Sequence, residues 1–158
     1  MVLAMLFCAC NVYAGSEPYG PQDKRFGAGI VVGEPTGISL KGYIVRNLSI
    51  GTIGAWSFND EALTLIGDVL YDFFDIKTKE NRISLPFYAG VGAKIAVGSD
   101  KNGSHNETIF GIRVPVGIAA QWKKYPIEVF AEIAPGIDVV PDTSFDLSGG
   151  VGIRWYFF

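Results

Sequence analysis

The sequence predicts an all-β protein, an eight-stranded antiparallel up-and-down transmembrane β-barrel. Three observations lead to this fold class. Apolar and polar residues alternate with a period of two in eight successive segments, turn residues separate these segments, and no run of about 20 apolar residues is present that could form a membrane-spanning helix. Since 49% of the residues are hydrophobic and only 18% are charged, the chain is also too apolar to be disordered.

The last segment shows the alternation most clearly. One face holds Leu147, Val151, Ile153, Trp155 and Phe157, and the other holds Ser148, Gly150, Gly152, Arg154 and Tyr156. An arginine opposite an apolar face suits a wall with lipid outside and polar groups inside. The predicted strands are 25–33, 38–45, 48–58, 62–75, 84–97, 108–121, 126–135 and 147–158. Several are as long as a tilted membrane strand needs to be, about 9 residues or more.

The connections alternate in charge. Three short turns are basic: Arg46-Asn47, 77–82 and Lys123-Lys124. The other set, which includes the loops 98–107 and 136–145, carries Glu34, Asp60, Glu61, Asp100, Glu107, Asp138, Asp142 and Asp146. An up-and-down barrel places the two sets at opposite rims. We expect the basic rim to lie with both termini in the periplasm and the acidic loops to face outside.

Residues 1–14 predict a cleaved signal peptide, because an apolar stretch ends in Val12-Tyr13-Ala14 before Gly15. No Lys or Arg precedes the apolar stretch, which favours a true translation start upstream of Met1. A buried N-terminal strand or helix is the alternative. The polar residues 15–24, rich in Pro and Gly, predict a flexible leader, and 25–158 form the predicted barrel.

Both cysteines, Cys8 and Cys10, lie in the predicted signal peptide. Cleavage would therefore leave a mature chain without disulfides. A lipoprotein signal ending at Cys10 is a weaker alternative, because Phe7 and Cys8 are unusual before such a site.

Charged residues on the polar faces form the predicted site. They are four cations and four anions: Lys41, Asp68, Asp72, Lys94, Arg113, Glu128, Glu132 and Arg154. A charge pointing at hydrocarbon from a barrel wall costs roughly 2–4 kcal/mol. We therefore expect these side chains to form an ion-pair network in the lumen. Because an eight-stranded barrel is just wide enough for its own side chains, a large pore is not expected.

A soluble lipocalin-like barrel with the faces reversed would show the same alternation. Glycines and small residues on the polar face, the few charges per strand and the aromatics near strand ends favour the membrane barrel. Aromatic girdles are predicted at one rim from Trp56 and Phe58, and at the other from Trp122, Trp155 and Phe157.

Pro115 departs from the strand pattern, because proline inside a strand removes a hydrogen bond of the ladder. We expect a bulge or a local distortion there; a hinge or gate is the functional alternative.

The sequence contains little that predicts catalysis or cofactor binding. The single histidine, His105, lies beside Ser104 and Glu107 in a polar loop, where nothing rigid would hold a nucleophile and base together. We expect no catalytic residue, no metal site and no cofactor; scattered loop carboxylates leave Ca²⁺ or Mg²⁺ binding as an alternative. The net charge of −3 provides no basic surface for nucleic acid.

The pattern resembles the small eight-stranded outer-membrane barrels of Gram-negative bacteria with the OmpA/OmpX architecture. Residues 152–157 resemble the C-terminal signal that the barrel-assembly machinery recognises. The segments 33–37, 113–117 and 126–135 resemble a family of uncharacterised predicted outer-membrane barrel proteins, and this resemblance covers 25–158.

This resemblance implies a monomer in the bacterial outer membrane, in contact with lipid and lipopolysaccharide. It assigns no activity. The predicted function is a structural or surface-interaction scaffold; the alternatives are a lipid-A-modifying enzyme, a low-conductance channel and the soluble ligand-binding barrel.

Overall fold

The computed structural model describes residues 20–57, 62–77, 82–99 and 106–158. The predicted signal peptide, Phe58 and His105 lie outside these ranges. The described strands are β1 (Phe26–Glu34), β2 (Gly37–Val45), β3 (Leu48–Ser57), β4 (Ala62–Lys77), β5 (Ile83–Ser99), β6 (Asn106–Arg113), β7 (Val116–Trp122), β8 (Ile127–Val140) and β9 (Ser144–Tyr156), preceded by a short 3₁₀ helix, Pro21–Asp23. Among the described residues no helix is long and apolar enough to cross a membrane.

The strands form one antiparallel sheet that closes on itself. Apart from β6 and β7, which do not pair with each other, each strand pairs with its neighbours in the chain, and β1 pairs with β9 to complete the ring. β6 and β7 together occupy one position between β5 and β8, so the ring has eight positions. The predicted all-β, eight-stranded, up-and-down antiparallel barrel is confirmed.

The interruption between β6 and β7 falls at Val114 and Pro115, within the predicted strand 108–121. It is not a bulge, because the register does not change across it. Gly92 of β5 lies opposite Arg113, and Ala89 lies opposite Val116, so both chains advance by three residues. The expected local distortion is therefore a break in hydrogen bonding alone.

Two prolines explain this break. Gly90 N–H donates to the Pro115 carbonyl over 2.8 Å, and Val114 N–H donates to the Pro135 carbonyl over 2.9 Å. In an antiparallel ladder each such pair would normally exchange two hydrogen bonds. Because proline has no N–H, neither return bond forms, and this strand loses one bond to each neighbour at the same level.

Two predicted loops are shorter than expected. β5 continues to Ser99 and β6 begins at Asn106, so strand occupies part of the predicted loop 98–107. β8 continues to Val140 and β9 begins at Ser144, which leaves a connection of 141–143 in place of the predicted loop 136–145. Outward Ile137 and Val139 alternate with inward Gly136 and Asp138, so the strand pattern continues to Val139. The turn-forming residue types in this segment led to the loop prediction.

The aliphatic faces of the strands point outward. In β2, Ile38 and Ile44 are each 51% exposed, whereas Ser39 and Lys41 are 0% and 1% exposed. The same division holds around the barrel, with Val31, Ile53, Ile66 and Leu70 as buried aliphatic exceptions. The first and last described residues, Gly20 and Phe158, lie at one end, called here the terminal end, with the 46–47 and 123–126 turns; the turns 35–36 and 141–143 lie at the opposite end.

Candidate functional site

The charged residues predicted from the sequence lie on the inner face of the barrel. Six of them are buried: Lys41, Asp68, Arg113, Glu128, Glu132 and Arg154. Asp72 and Lys94 are half-buried near the two ends. The structure arranges them in three clusters along the lumen.

The first cluster surrounds Glu128, which is fully buried on β8. Its Oε1 lies 2.7 Å from Nη1 of Arg154, the residue directly opposite on β9. Its Oε2 accepts hydrogen bonds from Gln121 Nε2 at 2.7 Å and from the Tyr156 hydroxyl at 3.2 Å. Lys41 Nζ lies 3.6 Å from the same oxygen. One carboxylate therefore serves two buried cations.

Arg154 connects this cluster to more distant strands. Its Nε donates to Ser39 Oγ on β2 over 2.9 Å, which bridges past β1. The guanidinium carbon lies 3.6 Å from the centre of the Phe130 ring, a cation–π contact. Both contacts fix the plane of the guanidinium that binds Glu128.

Lys41 is held mainly by charge and by aromatic rings. Its Nζ lies 4.8 Å from the centre of the Tyr43 ring and 5.2 Å from that of Tyr88. Within the described ranges, this ammonium has no hydrogen-bond partner. The Tyr43 hydroxyl donates to Asp72 over 3.2 Å and accepts from Gln121 over 3.0 Å, which places Asp72 at the edge of the same cluster.

The second cluster surrounds Arg113. Its Nη2 lies 2.5 Å from Glu132 Oε1 and its Nε lies 3.3 Å from Asp68 Oδ1. Its Nη1 donates to Ser148 Oγ over 3.2 Å. Tyr88 donates its hydroxyl to the other oxygen of Glu132 over 2.9 Å. This cluster joins β4, β5, β6, β8 and β9 across the middle of the lumen.

The third cluster lies toward the opposite end and contains two aspartates that were predicted elsewhere. Lys94 Nζ lies 2.9 Å from Asp138 and 3.0 Å from Asp146. From the sequence, both aspartates are predicted in acidic outer loops, and this prediction is wrong. They belong instead to β8 and β9, because those strands extend further than predicted, and their side chains are 15% and 27% exposed.

The interior contains other groups that the prediction did not assign to the site. Tyr43, Tyr156, Ser148 and Gln121 lie on the predicted polar faces, so the alternation could have identified them. The apolar interior residues Ile53, Ile66 and Leu70 were not predicted, because a single aliphatic residue on a polar face looks like an interruption of the alternation.

The lumen opens at the terminal end into a cavity of about 790 Å³ lined by Asp72, Gln121 and the 3₁₀ helix. Gln22 of this helix donates its Nε2 to the Lys124 carbonyl over 2.8 Å, which ties part of the predicted leader to the rim. Within the described ranges, no group of three or more His, Cys, Asp or Glu residues is placed to hold a metal ion.

Aromatic side chains are exposed on the outer surface near both ends. Of the predicted girdle residues, Trp56, Trp155 and Phe157 are exposed and Trp122 is half-buried. The terminal end also exposes Tyr71, Phe73, Phe74, Tyr125 and Phe158, and the opposite end exposes Phe110 and Phe145. Of these additions, Tyr71, Phe73 and Phe110 lie on the outward face that the alternation predicts. Phe74 is exposed as well, because the β4–β5 register shifts between Asp72 and Phe74, and Phe145 was predicted in a loop.

Residues 21–158 match the model of a family described as "Protein of unknown function (DUF3996)". The chain belongs to this family. Comparison with curated proteins gives no match.

Among solved structures, this DUF3996 protein is similar to the N-terminal β-barrel domain of Pseudomonas aeruginosa OprF. The TM-score is 0.56 and the sequence identity is 12%, over 84% of this chain and 96% of the OprF domain. At this identity the likeness shows the barrel fold and not a shared activity.

Proposed function

We propose that this DUF3996 protein is an outer-membrane β-barrel that acts as a structural or surface-interaction scaffold. The observation that carries the proposal is the direction of the side chains. The exposed wall is aliphatic, for example Val91 at 64% and Ile153 at 45%, while Glu128 and Arg154 inside are 0% and 2% exposed. A soluble barrel would bury the aliphatic face and expose the charges.

The exposed aromatics support the same location. Trp155 and Phe157 lie near the terminal end, and Trp56 and Phe145 near the opposite end, with the aliphatic wall between them. Aromatic residues at both borders of an apolar band are typical of barrels whose band faces acyl chains. The proposed contacts are therefore outer-membrane lipid and lipopolysaccharide, reached after cleavage of the signal peptide 1–14 and insertion by the barrel-assembly machinery.

The lumen is proposed to be filled rather than conducting. Three clusters of charges connect opposite walls, and Phe130, Tyr88 and Leu70 are buried among them. Ion pairs that brace the walls have a structural role, because each buried charge finds an opposite charge. The protein is proposed to be a monomer that neither catalyses a reaction nor binds nucleic acid.

Fractionation of the bacterial envelope tests the location. The protein should remain in the outer-membrane fraction after carbonate washing, and on a gel the unboiled protein should migrate differently from the boiled protein. Recovery of folded protein from the soluble fraction without detergent would contradict the proposal and favour the lipocalin-like barrel.

Mass spectrometry of lipid A tests the proposed absence of catalysis. Strains with the wild-type protein and with His105→Ala should contain the same lipid A species. A modification that depends on His105 would instead establish a lipid-A-modifying enzyme.

A further inference from the structure

Strand β9 extends beyond its neighbour at the opposite end of the barrel. The pairing of β1 with β9 ends where Glu34 lies opposite Gly149, whereas β9 begins at Ser144. In the described part of the chain, residues 144–148 pair with β8 alone. The turn after β1 leads away from this edge, because it continues into β2, which pairs with the side of β1 opposite to β9. Within this turn Thr36 Oγ1 donates to the Gly33 carbonyl over 2.9 Å and accepts from the Gly33 N–H over 3.2 Å.

The pattern of hydrogen bonds identifies the backbone groups at this edge. Phe157 N–H donates to the Phe26 carbonyl on the β1 side, and Tyr156 N–H donates to the Pro126 carbonyl on the β8 side. Because alternate residues of a strand bond to opposite neighbours, the N–H and C=O groups of Phe145 and Leu147 point away from β8. No described strand receives them.

Glu34 places this edge outside the hydrocarbon. Its side chain is exposed and follows Ile30 and Val32 on the outward face of β1, next to Gly149. A carboxylate on the outer wall marks the border of the apolar band. Residues 144–148 lie further along β9, in the headgroup region or beyond it, where a polar partner can reach them.

We propose that the free edge of β9 at 144–148 binds an extended segment of another protein by strand addition, and that this segment carries basic side chains at the alternate positions that face inward. An exposed strand edge is a template for such pairing. The outward residues Phe145 and Leu147, 73% and 64% exposed, offer apolar contacts to the other side of the added strand.

Charge determines the choice of partner. Asp146 faces inward at the centre of the edge, Asp138 faces it from β8, and Glu34 and Asp142 are exposed nearby. Lys94 is the only cation that the described ranges place at this end. If a second copy of the protein paired antiparallel with this edge, centred on residue 146, the two Asp146 side chains would lie opposite each other. Like charges at directly opposite positions are destabilising. A segment with lysine or arginine at that position complements the edge.

This inference names the partner class of the proposed surface scaffold, so it rests on that proposal.

Binding to the β9 edge is tested on purified protein in detergent micelles, with folding verified by heat-modifiable migration. The probe is a fluorescent, capped peptide of alternating valine and lysine, and the control peptide has glutamate in place of lysine. Saturable binding of the lysine peptide and at least tenfold weaker binding of the glutamate peptide are expected.

Two variants separate the edge from the rest of the barrel. Leu147→Pro removes an N–H that points away from β8, so the β8–β9 ladder stays intact, and it should weaken peptide binding about tenfold. Leu147→Thr keeps this N–H and should bind within twofold of wild type. Phe145→Pro gives a second test of the same edge if Leu147→Pro fails to fold.

Three results would overturn the inference: no saturable binding, equal binding of both peptides, or wild-type binding by the folded proline variants. Edge-dependent self-association of the protein would also overturn it, in favour of a second copy. None of these results affects the membrane location, because envelope fractionation tests that location independently.

Discussion

The carboxylate of Glu128 and the guanidinium of Arg154 face each other across adjacent strands, 2.7 Å apart and closed off from solvent. The side chains are 0% and 3% exposed. Each has further partners, Lys41 for Glu128 and Ser39 for Arg154. This pair is therefore the centre of a network that links β2, β8 and β9, and its loss should affect the whole barrel.

Replacing Glu128 tests this network. Glu128→Gln keeps the shape but leaves the buried cations Lys41 and Arg154 without a carboxylate, so the free energy of unfolding should fall by about 3–5 kcal/mol. Urea unfolding in micelles, followed by tryptophan fluorescence, measures it. Glu34→Gln is the matched control on an exposed site and should stay within about 0.5 kcal/mol of wild type. Equal midpoints for both variants would refute the role of the pair.

Loss of the cation should destabilise the barrel more in the Arg113 cluster than in the Lys94 cluster. Arg113→Met leaves Glu132 and Asp68 buried without their cation and should destabilise the barrel by about 3–5 kcal/mol. Lys94→Met affects a cluster that is partly exposed, so its cost should be about 1 kcal/mol or less.

Salt provides the second readout for this comparison. The small effect of Lys94→Met should shrink further in about 1 M salt, because solvent ions screen exposed charges, whereas the effect of Arg113→Met should persist. If both variants respond alike to salt, the difference in burial between the two clusters does not govern their energies.

Glycine is required where an aromatic ring fills the lumen. A Cβ at Gly152 would overlap the Phe130 ring, and Phe130 is held by Arg154. Gly152→Ala should therefore destabilise the barrel by about 1–3 kcal/mol. A Cβ at Gly67 would have no described atom within 4 Å, so Gly67→Ala should be neutral or stabilise by about 0.4–1 kcal/mol. Chemical unfolding of both proteins checks the difference, and equal stabilities would contradict this packing.

The outward wall should reject charge in a bilayer. Val91 is 64% exposed near the middle of β5, and Val91→Lys should cost about 2–4 kcal/mol when the protein is folded in lipid vesicles. Val91→Thr is the control and should cost less. A lysine that is tolerated as well as threonine would indicate that water, not hydrocarbon, covers this wall.

The period of two was sufficient to predict the barrel and the inward direction of the eight charged residues assigned to the lumen, which are buried or half-buried in the structure, because alternate residues of a strand point to opposite faces. Arg154 and Glu128 are examples, since each lies between two outward aliphatic or aromatic residues. Pro115 predicted a local distortion of its strand, and the strand is interrupted there. The unchanged register shows that the interruption is not a bulge.

The partners of these charges could not be predicted in the same way. Arg154 reaches Ser39, which is separated from it by more than 100 residues in the chain, and this contact depends on closure and tilt of the barrel. Asp138 is predicted in a loop because the glycine, proline and aspartate residues around it are turn-forming residue types. Its pairing with Lys94 becomes visible only when β8 is followed to Val140.

The accessibility of spin labels in vesicles tests whether the aliphatic wall of the barrel faces acyl chains. In protein reconstituted after replacement of Cys8 and Cys10 by serine, single cysteines would be labelled at Val91 on the outer wall and at Ala119 on the inner face. If the wall faces lipid, the label at position 91 is relaxed by oxygen dissolved in the bilayer and protected from a water-soluble nickel complex. The label at position 119 is then protected from the lipid-dissolved oxygen. Access of the nickel complex to position 91, with position 119 in an apolar core, would contradict it.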